Sequence, residues 1–159
     1  NWQKINREPI CFGARGNQYG AFNIPKSGRI KTMKLIHKSG SIECNSAYGA
    51  SYWGCINPRY YGNMLMTIIT NDNKESVLPP VGELEALQPE EHSCGIKKHF
   101  YSLDGTSHTS PELVYRDLSN QLSVLRNQEL QIWYGQDWID CSEEGNNGNT
   151  CVDVFVWYA

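Results

Sequence analysis

Residues 130–159 read LQIWYGQDWIDCSEEGNNGNTCVDVFVWYA, and the rest of the chain is organised around them. The stretch opens with Leu130-Gln-Ile-Trp-Tyr134 and closes with Val152-Asp-Val-Phe-Val-Trp-Tyr158, two runs rich in β-branched and aromatic residues. Such side chains suit a pleated, half-buried surface. Strand alternation puts Val152, Val154, Val156 and Tyr158 on one face and Asp153, Phe155 and Trp157 on the other. The intervening loop carries Gln136, Asp137, Asp140, Glu143, Glu144, Asn146, Asn147 and Asn149 with Gly145 and Gly148, a composition unsuited to a core. No Lys or Arg follows Arg126, whereas Glu129, Asp137, Asp140, Glu143, Glu144 and Asp153 all do. Like charges this dense repel unless water or a cation compensates them. Many oxygens on a glycine-rich loop, with no soft ligand besides cysteine, read as a hard-cation site, calcium before magnesium.

Upstream, short extended runs alternate with turn formers. Residues 29–37 read as a strand, Lys38-Ser-Gly-Ser41 as a turn, and Ile42–Cys44 as the start of the return strand. The most apolar run, Asn63–Thr70, reads as a central strand, followed by a turn at Asn71-Asp-Asn-Lys74. His99–Leu103 and Leu113–Leu118 are further short strands, and Leu122–Leu125 pairs with Leu130–Tyr134 as a hairpin about Asn127-Gln128. No long segment has a helical period. The expectation is an all-β, antiparallel, sandwich-like single domain over residues 1–159, with long loops stapled by disulfides.

The six cysteines are Cys11, Cys44, Cys55, Cys94, Cys141 and Cys151, and none forms a C-x-x-C pair. An even set without that motif reads as three disulfides in a secreted protein. Spacing favours Cys44–Cys55 and Cys141–Cys151, each closing a short loop, which leaves Cys11–Cys94. The chain begins at Asn1, read as a processed mature terminus. A formal net charge of −3 does not point to nucleic acid, and no apolar run approaches the ~18–20 residues of a membrane span.

Other features carry less chemistry. The glycine-rich string from Gly13 to Gly20 lacks the lysine of a phosphate-binding loop and reads as a turn. Residues 45–63 hold Tyr48, Tyr52, Trp53, Tyr60 and Tyr61: Trp53 beside Cys55 reads as packing, the tyrosines as packing or as a ligand-facing surface. A second acidic group, Glu83, Glu85, Glu90 and Glu91, has flanking prolines and lysine and reads as a solvated edge. Neither H-E-x-x-H nor G-x-S-x-G occurs, and His37, His92, His99 and His108 are scattered, so the chain reads as a binding protein rather than an enzyme.

The tail motif Trp133-Tyr-Gly-Gln-Asp137, Asp140, Ser142-Glu143, Asn146 and Cys151-Val-Asp-Val154 resembles a module of secreted cnidarian proteins. Cys44, Tyr52-Trp-Gly-Cys55, Met66-Thr-Ile-Ile-Thr70 and Leu78-Pro-Pro80 extend the resemblance over most of the chain. Within that group the sequence is similar to the calcium-dependent galactose-binding lectins of sea anemones. The resemblance implies a secreted β-rich lectin in which calcium binds hydroxyls of terminal galactose. The metal set it suggests is Gln136, Asp137, Asp140, Glu143, Glu144, Asn146 and Asp153. The sugar-contact set is Tyr134, Gln136, Asp137, Trp138, Glu143 and Asn147, with Tyr134 or Trp138 offering a stacking face. Relatives carry an acidic residue where this chain has Gln136, so that position supplies a neutral amide oxygen. A homodimer is expected, because one site per chain gains avidity only through assembly. The alternative is a matrix or adhesion module in which calcium stabilises the fold and the partner is a protein or mineral.

Overall fold

The computed structural model describes residues 1–59, 64–87, 94 and 96–159. Its centre is a twelve-residue antiparallel ladder between β4 (Gly28–Glu43) and β10 (Asn147–Tyr158). Around this ladder β1 (Trp2–Lys4) and β2 (Ile10–Gly13) pair with β10, and β7 (Glu112–Val114) and β8 (Leu122–Val124) pair with β4. A second antiparallel sheet runs in the order β3 (Gly20–Asn23), β9 (Glu129–Tyr134), β5 (Thr67–Asn71), β6 (Ser76–Leu78). The protein is all-β, and its helical content among the described residues is one turn, α1 (Gly135–Trp138), and a short 3₁₀ turn at Val81–Glu83.

The core follows from alternation. Val152, Val154 and Val156 are fully buried, as the sequence predicts, and Leu130, Ile132 and Tyr134 of β9 are fully buried with them. On β4 the inward residues change parity, from Ile30 to Met33 and Leu35, then to Ile42. Register shifts account for this: Tyr158 faces Ile30 while Trp157 faces Thr32, so Lys31 is an extra residue, and Lys38 is another between Cys151 and Val152. Each bulge slips the strand by one and returns apolar side chains to the core.

Several expectations are corrected. Lys38-Ser-Gly-Ser41 does not turn the chain; β4 runs through it, because β10 supplies partners along its whole length. Leu122–Leu125 and Leu130–Tyr134 do not form a hairpin. β8 lies on β4 while β9 lies on β3 and β5, so the turn near Asn127 crosses between sheets. Of the expected disulfides only Cys44–Cys55 forms; the others are Cys11–Cys151 and Cys94–Cys141. The reason is strand pairing: β2 lies antiparallel on β10 with Cys11 directly opposite Cys151. Sequence spacing rewards short loops and does not register a contact made across 140 residues.

Trp53 is buried and donates its Nε1–H to the Ser110 carbonyl, in keeping with packing. Trp133 lies on the outer face of β9, opposite in alternation to Leu130 and Ile132, and Trp157 is half-buried edge-on to Trp2. Glu83 pairs with Arg116 at 3.0 Å, as a solvated edge would; Tyr60, Tyr61, Asn63, Glu90, Glu91 and His92 lie outside the described residues.

Candidate functional site

The acidic loop begins where β9 ends. At Gly135 the chain turns into α1, and a Cβ there would sit 2.2 Å from the His99 carbonyl, so only glycine fits. The turn is closed by N–H bonds from Ile139 to the Gly135 carbonyl and from Cys141 to that of Gln136. It places Gln136 and Asp137 side by side, both buried. The Cys94–Cys141 bridge then anchors the loop, and Asp140 and Ser142 adopt left-handed backbone on either side of it.

A distant segment organises these side chains. The β2–β3 connection, closed by a Gly13 N–H to Gln18 carbonyl bond of 2.7 Å, presents three successive backbone N–H groups to the loop. Gly16 donates to Glu143 Oε1 at 3.1 Å, Asn17 to Asp137 Oδ1 at 2.9 Å and Gln18 to Asp137 Oδ2 at 3.0 Å. The φ of Gly16 is +75°, a conformation glycine adopts without strain, and it lets consecutive N–H groups converge as an anion nest. The Ala14 carbonyl accepts from Asn146 Nδ2 at 3.0 Å, and Arg15 Nη1 donates to the Glu144 carbonyl at 2.9 Å. The turn expected at Gly13–Gly20 is present, and it cradles the protein's own carboxylates. This role had one sequence signal, a Gly-Asn pair able to take positive φ.

The resulting oxygen cluster is incompletely satisfied. Asn146 Nδ2 also donates to Gln136 Oε1 at 2.9 Å, while Asn146 Oδ1 and Glu143 Oε2 are buried without a hydrogen-bond partner. Burial raises the Glu143 pKa above its usual value; the charges of Asp137 and Asp140 add to this, and the Gly16 N–H opposes it. The ionised form is therefore less favourable here than on a free glutamate. Among the described residues no three His, Cys, Asp or Glu side chains stand close enough to share one ion. A cation at this point would thus draw on amide and backbone oxygens as well as carboxylates, which suits calcium with its roughly 6–8 oxygen ligands. Asp137 and Glu143 with the amide oxygens of Gln136 and Asn146 would form such a mixed set, whereas Asp140 is exposed.

Other expected residues go elsewhere. Asp153 stands on the outer face of β10, 3.4 Å from Lys4 Nζ and 3.8 Å from Lys38 Nζ, and accepts from Asn6 Nδ2; its charge is matched away from the loop. Tyr134 is buried and donates its hydroxyl to the Gly54 carbonyl, so its ring offers no stacking face. Trp138 is half-buried with Nε1 bonded to the Lys74 carbonyl. Glu144 and Asn147 are exposed, Asn147 opening β10 opposite Glu43.

Beside the cluster lies a polar cavity of about 240 Å³. Gln136, Ser142 and Gly145 form one wall; the Cys44–Cys55 bridge, Asn45, Tyr48, Asn57 and Arg59 form the other. Gln136 belongs to both cluster and cavity. Arg59 and Tyr48 come from the loop after β4, and no sequence pattern links them to the acidic tail.

The whole architecture has a known counterpart. The structure of AJLec from the sea anemone Anthopleura japonica superposes with a TM-score of 0.84 at 32% sequence identity, covering 100% of this chain and 98% of that one. No protein-family model matches the chain, and no curated protein does. Identity at this level over the full length of both chains shows that the protein belongs to the family of AJLec, the sea anemone lectins.

Proposed function

We propose that this lectin binds terminal galactose of glycans through a calcium ion held by the acidic loop. The observation that carries the reading is the pair of buried, unpartnered oxygens, Glu143 Oε2 and Asn146 Oδ1, beside Asp137 and next to a polar cavity. Buried polar atoms are ordinarily paired, and a bound cation would satisfy both of these oxygens. Calcium bound there would supply open coordination positions for two neighbouring hydroxyls. The protein's own residues then do three things. The Gly16–Gln18 N–H groups hold Glu143 and Asp137 in fixed orientation, which lowers the ordering cost of binding. Gln136 and Ser142 line one wall of the cavity and Asn57 and Arg59 the other, polar side chains that would meet sugar hydroxyls. Carboxylates of the loop accept from sugar hydroxyls in charge-assisted bonds.

A secreted homodimer completes the proposal: three disulfides suit an oxidising compartment, and pairing two sites raises avidity. The test is a glycan array with and without calcium, followed by calorimetry. Terminal galactosides should bind with calcium, lose binding in chelator and regain it on readdition. Calcium-independent binding, or no calcium uptake at millimolar concentration, would overturn the metal part of the reading.

A further inference from the structure

The outer face of the four-stranded sheet holds a second, unassigned cleft of about 320 Å³, lined by Asn17, Tyr19, Asp72, Lys74, Gln131 and Trp133. Trp133 is buried there, although it points away from the core. Its cover is Tyr19, stacked at 4.8 Å between ring centroids and 29° between planes, and Lys74 Nζ, 4.5 Å from the ring centroid. Tyr19 itself is 41% exposed, so a large aromatic surface meets solvent above Trp133. The polar groups beside it are fixed. Trp133 Nε1 donates to Gln131 Oε1 at 2.9 Å, and Gln131 Nε2 donates to Glu129 Oε2 at 2.7 Å. Lys74 sits at a hairpin turn whose N–H groups at Asn73 and Glu75 both bond Asn71 Oδ1.

We infer that this cleft is a second saccharide subsite, taking a pyranose ring beyond the terminal galactose of a longer glycan. An exposed ring on a rigid aromatic stack suits the C–H face of a sugar, and the amide of Asn17 with the Asp72 carboxylate suits its hydroxyls. Asp72 offsets Lys74, which disfavours a purely anionic ligand, and the polar lining disfavours an apolar one. The cleft adjoins the acidic loop: Asn17, which lines it, donates its backbone N–H to Asp137. The inference rests on the carbohydrate reading above, and its test separates the two.

The probes are methyl β-galactoside and lacto-N-neotetraose, titrated into the full chain with calcium and with chelator. The Trp133 indole N–H is followed by NMR and affinity by calorimetry. With calcium, the tetrasaccharide should bind about five-fold tighter than the monosaccharide, the scale of one aromatic contact. It alone should move the Trp133 resonance. Tyr19→Ala should remove the five-fold preference and leave methyl β-galactoside affinity unchanged, and Tyr19→Phe should retain the preference. A Trp133 resonance unmoved by the tetrasaccharide, or Tyr19→Ala weakening both ligands equally, would overturn the subsite. If the tetrasaccharide moved Trp133 in chelator while methyl β-galactoside bound in neither condition, the subsite would stand and the calcium–galactose reading would fall.

Discussion

Strand β10 and the loop that feeds it share one stretch of sequence and obey different rules. In β10, Val152, Val154 and Val156 are buried against β4 by alternation alone. Burying each such side chain contributes about 1.5–3 kcal/mol, and the identity of the facing residue matters less than its being apolar. In the loop, by contrast, Asp137 is just as buried, and what holds it is two specific N–H groups from residues 17 and 18, 120 and 119 positions away in sequence. The strand tolerates any neighbour of the right polarity; the loop requires particular atoms. A substitution in β10 should therefore act on folding alone, and one in the loop should act differently with and without its ligand.

The sharpest break of that contrast is Val154→Asp. It places a carboxylate in the middle of the central ladder, where the side chain is fully buried. The expected loss is more than about 4 kcal/mol, enough to leave little folded protein. Urea denaturation followed by tryptophan fluorescence checks it, and calcium should not rescue it. A variant that folds with a normal midpoint would mean that the ladder is not the core.

Next comes the Cys94–Cys141 bridge, which joins the acidic loop to the segment before Phe100 and spans 47 residues. Replacing both cysteines with serine should lower stability by about 4 kcal/mol in the chain-entropy model, less if the unfolded chain retains structure. Because the bridge also anchors the loop, calcium affinity should fall with stability. Peptide mapping without reduction provides the prior check: Cys94–Cys141 and Cys11–Cys151 peptides are expected, and a Cys141–Cys151 peptide would contradict the fold.

These two cases show what was legible in the sequence. The apolar faces of β9 and β10 follow from period-two alternation, a local signal that burial simply enforces. The loop's acidity was visible too. The cradle was not, because Gly16, Asn17 and Gln18 act through backbone N–H groups, which every residue but proline possesses. Asp153 misled for the related reason that its partners, Lys4 and Lys38, come from β1 and β4 and only pairing brings them near. Disulfide connectivity failed in the same way: Cys11 meets Cys151 because β2 lies on β10. Local pattern finds strands; it does not find which strands meet.

The finest test compares the two carboxylates that the β2–β3 loop holds. Asp137 has both oxygens bonded to backbone N–H groups, whereas Glu143 has one oxygen bonded and one buried without a partner. In chelator, Asp137→Asn should cost about 1.5–3 kcal/mol, since an amide cannot accept at both positions and a charge-assisted bond is lost. Glu143→Gln should behave in the opposite sense. The raised pKa of Glu143 means that the native state binds a proton before the unfolded chain does as pH falls. Stability of the ion-free protein therefore drops as pH rises between the ordinary glutamate value and the raised one, and that cost persists above it. The neutral amide removes the cost and keeps an acceptor for Gly16. At neutral pH in chelator the stability of this variant should equal or slightly exceed that of the parent, by at most about a few tenths of a kcal/mol after solvent screening. With calcium the order should reverse, because the parent gains ligand stabilisation, about 2.7 kcal/mol at a hundred-fold excess over Kd, and the variant gains far less. Parent calcium affinity should likewise begin to fall at a higher pH than an ordinary glutamate would dictate. Thermal melts of the parent and both variants, with calcium and with chelator across pH 4–8, measure all of this. A Glu143→Gln variant that loses stability in chelator would show that the loop is already complete without a cation.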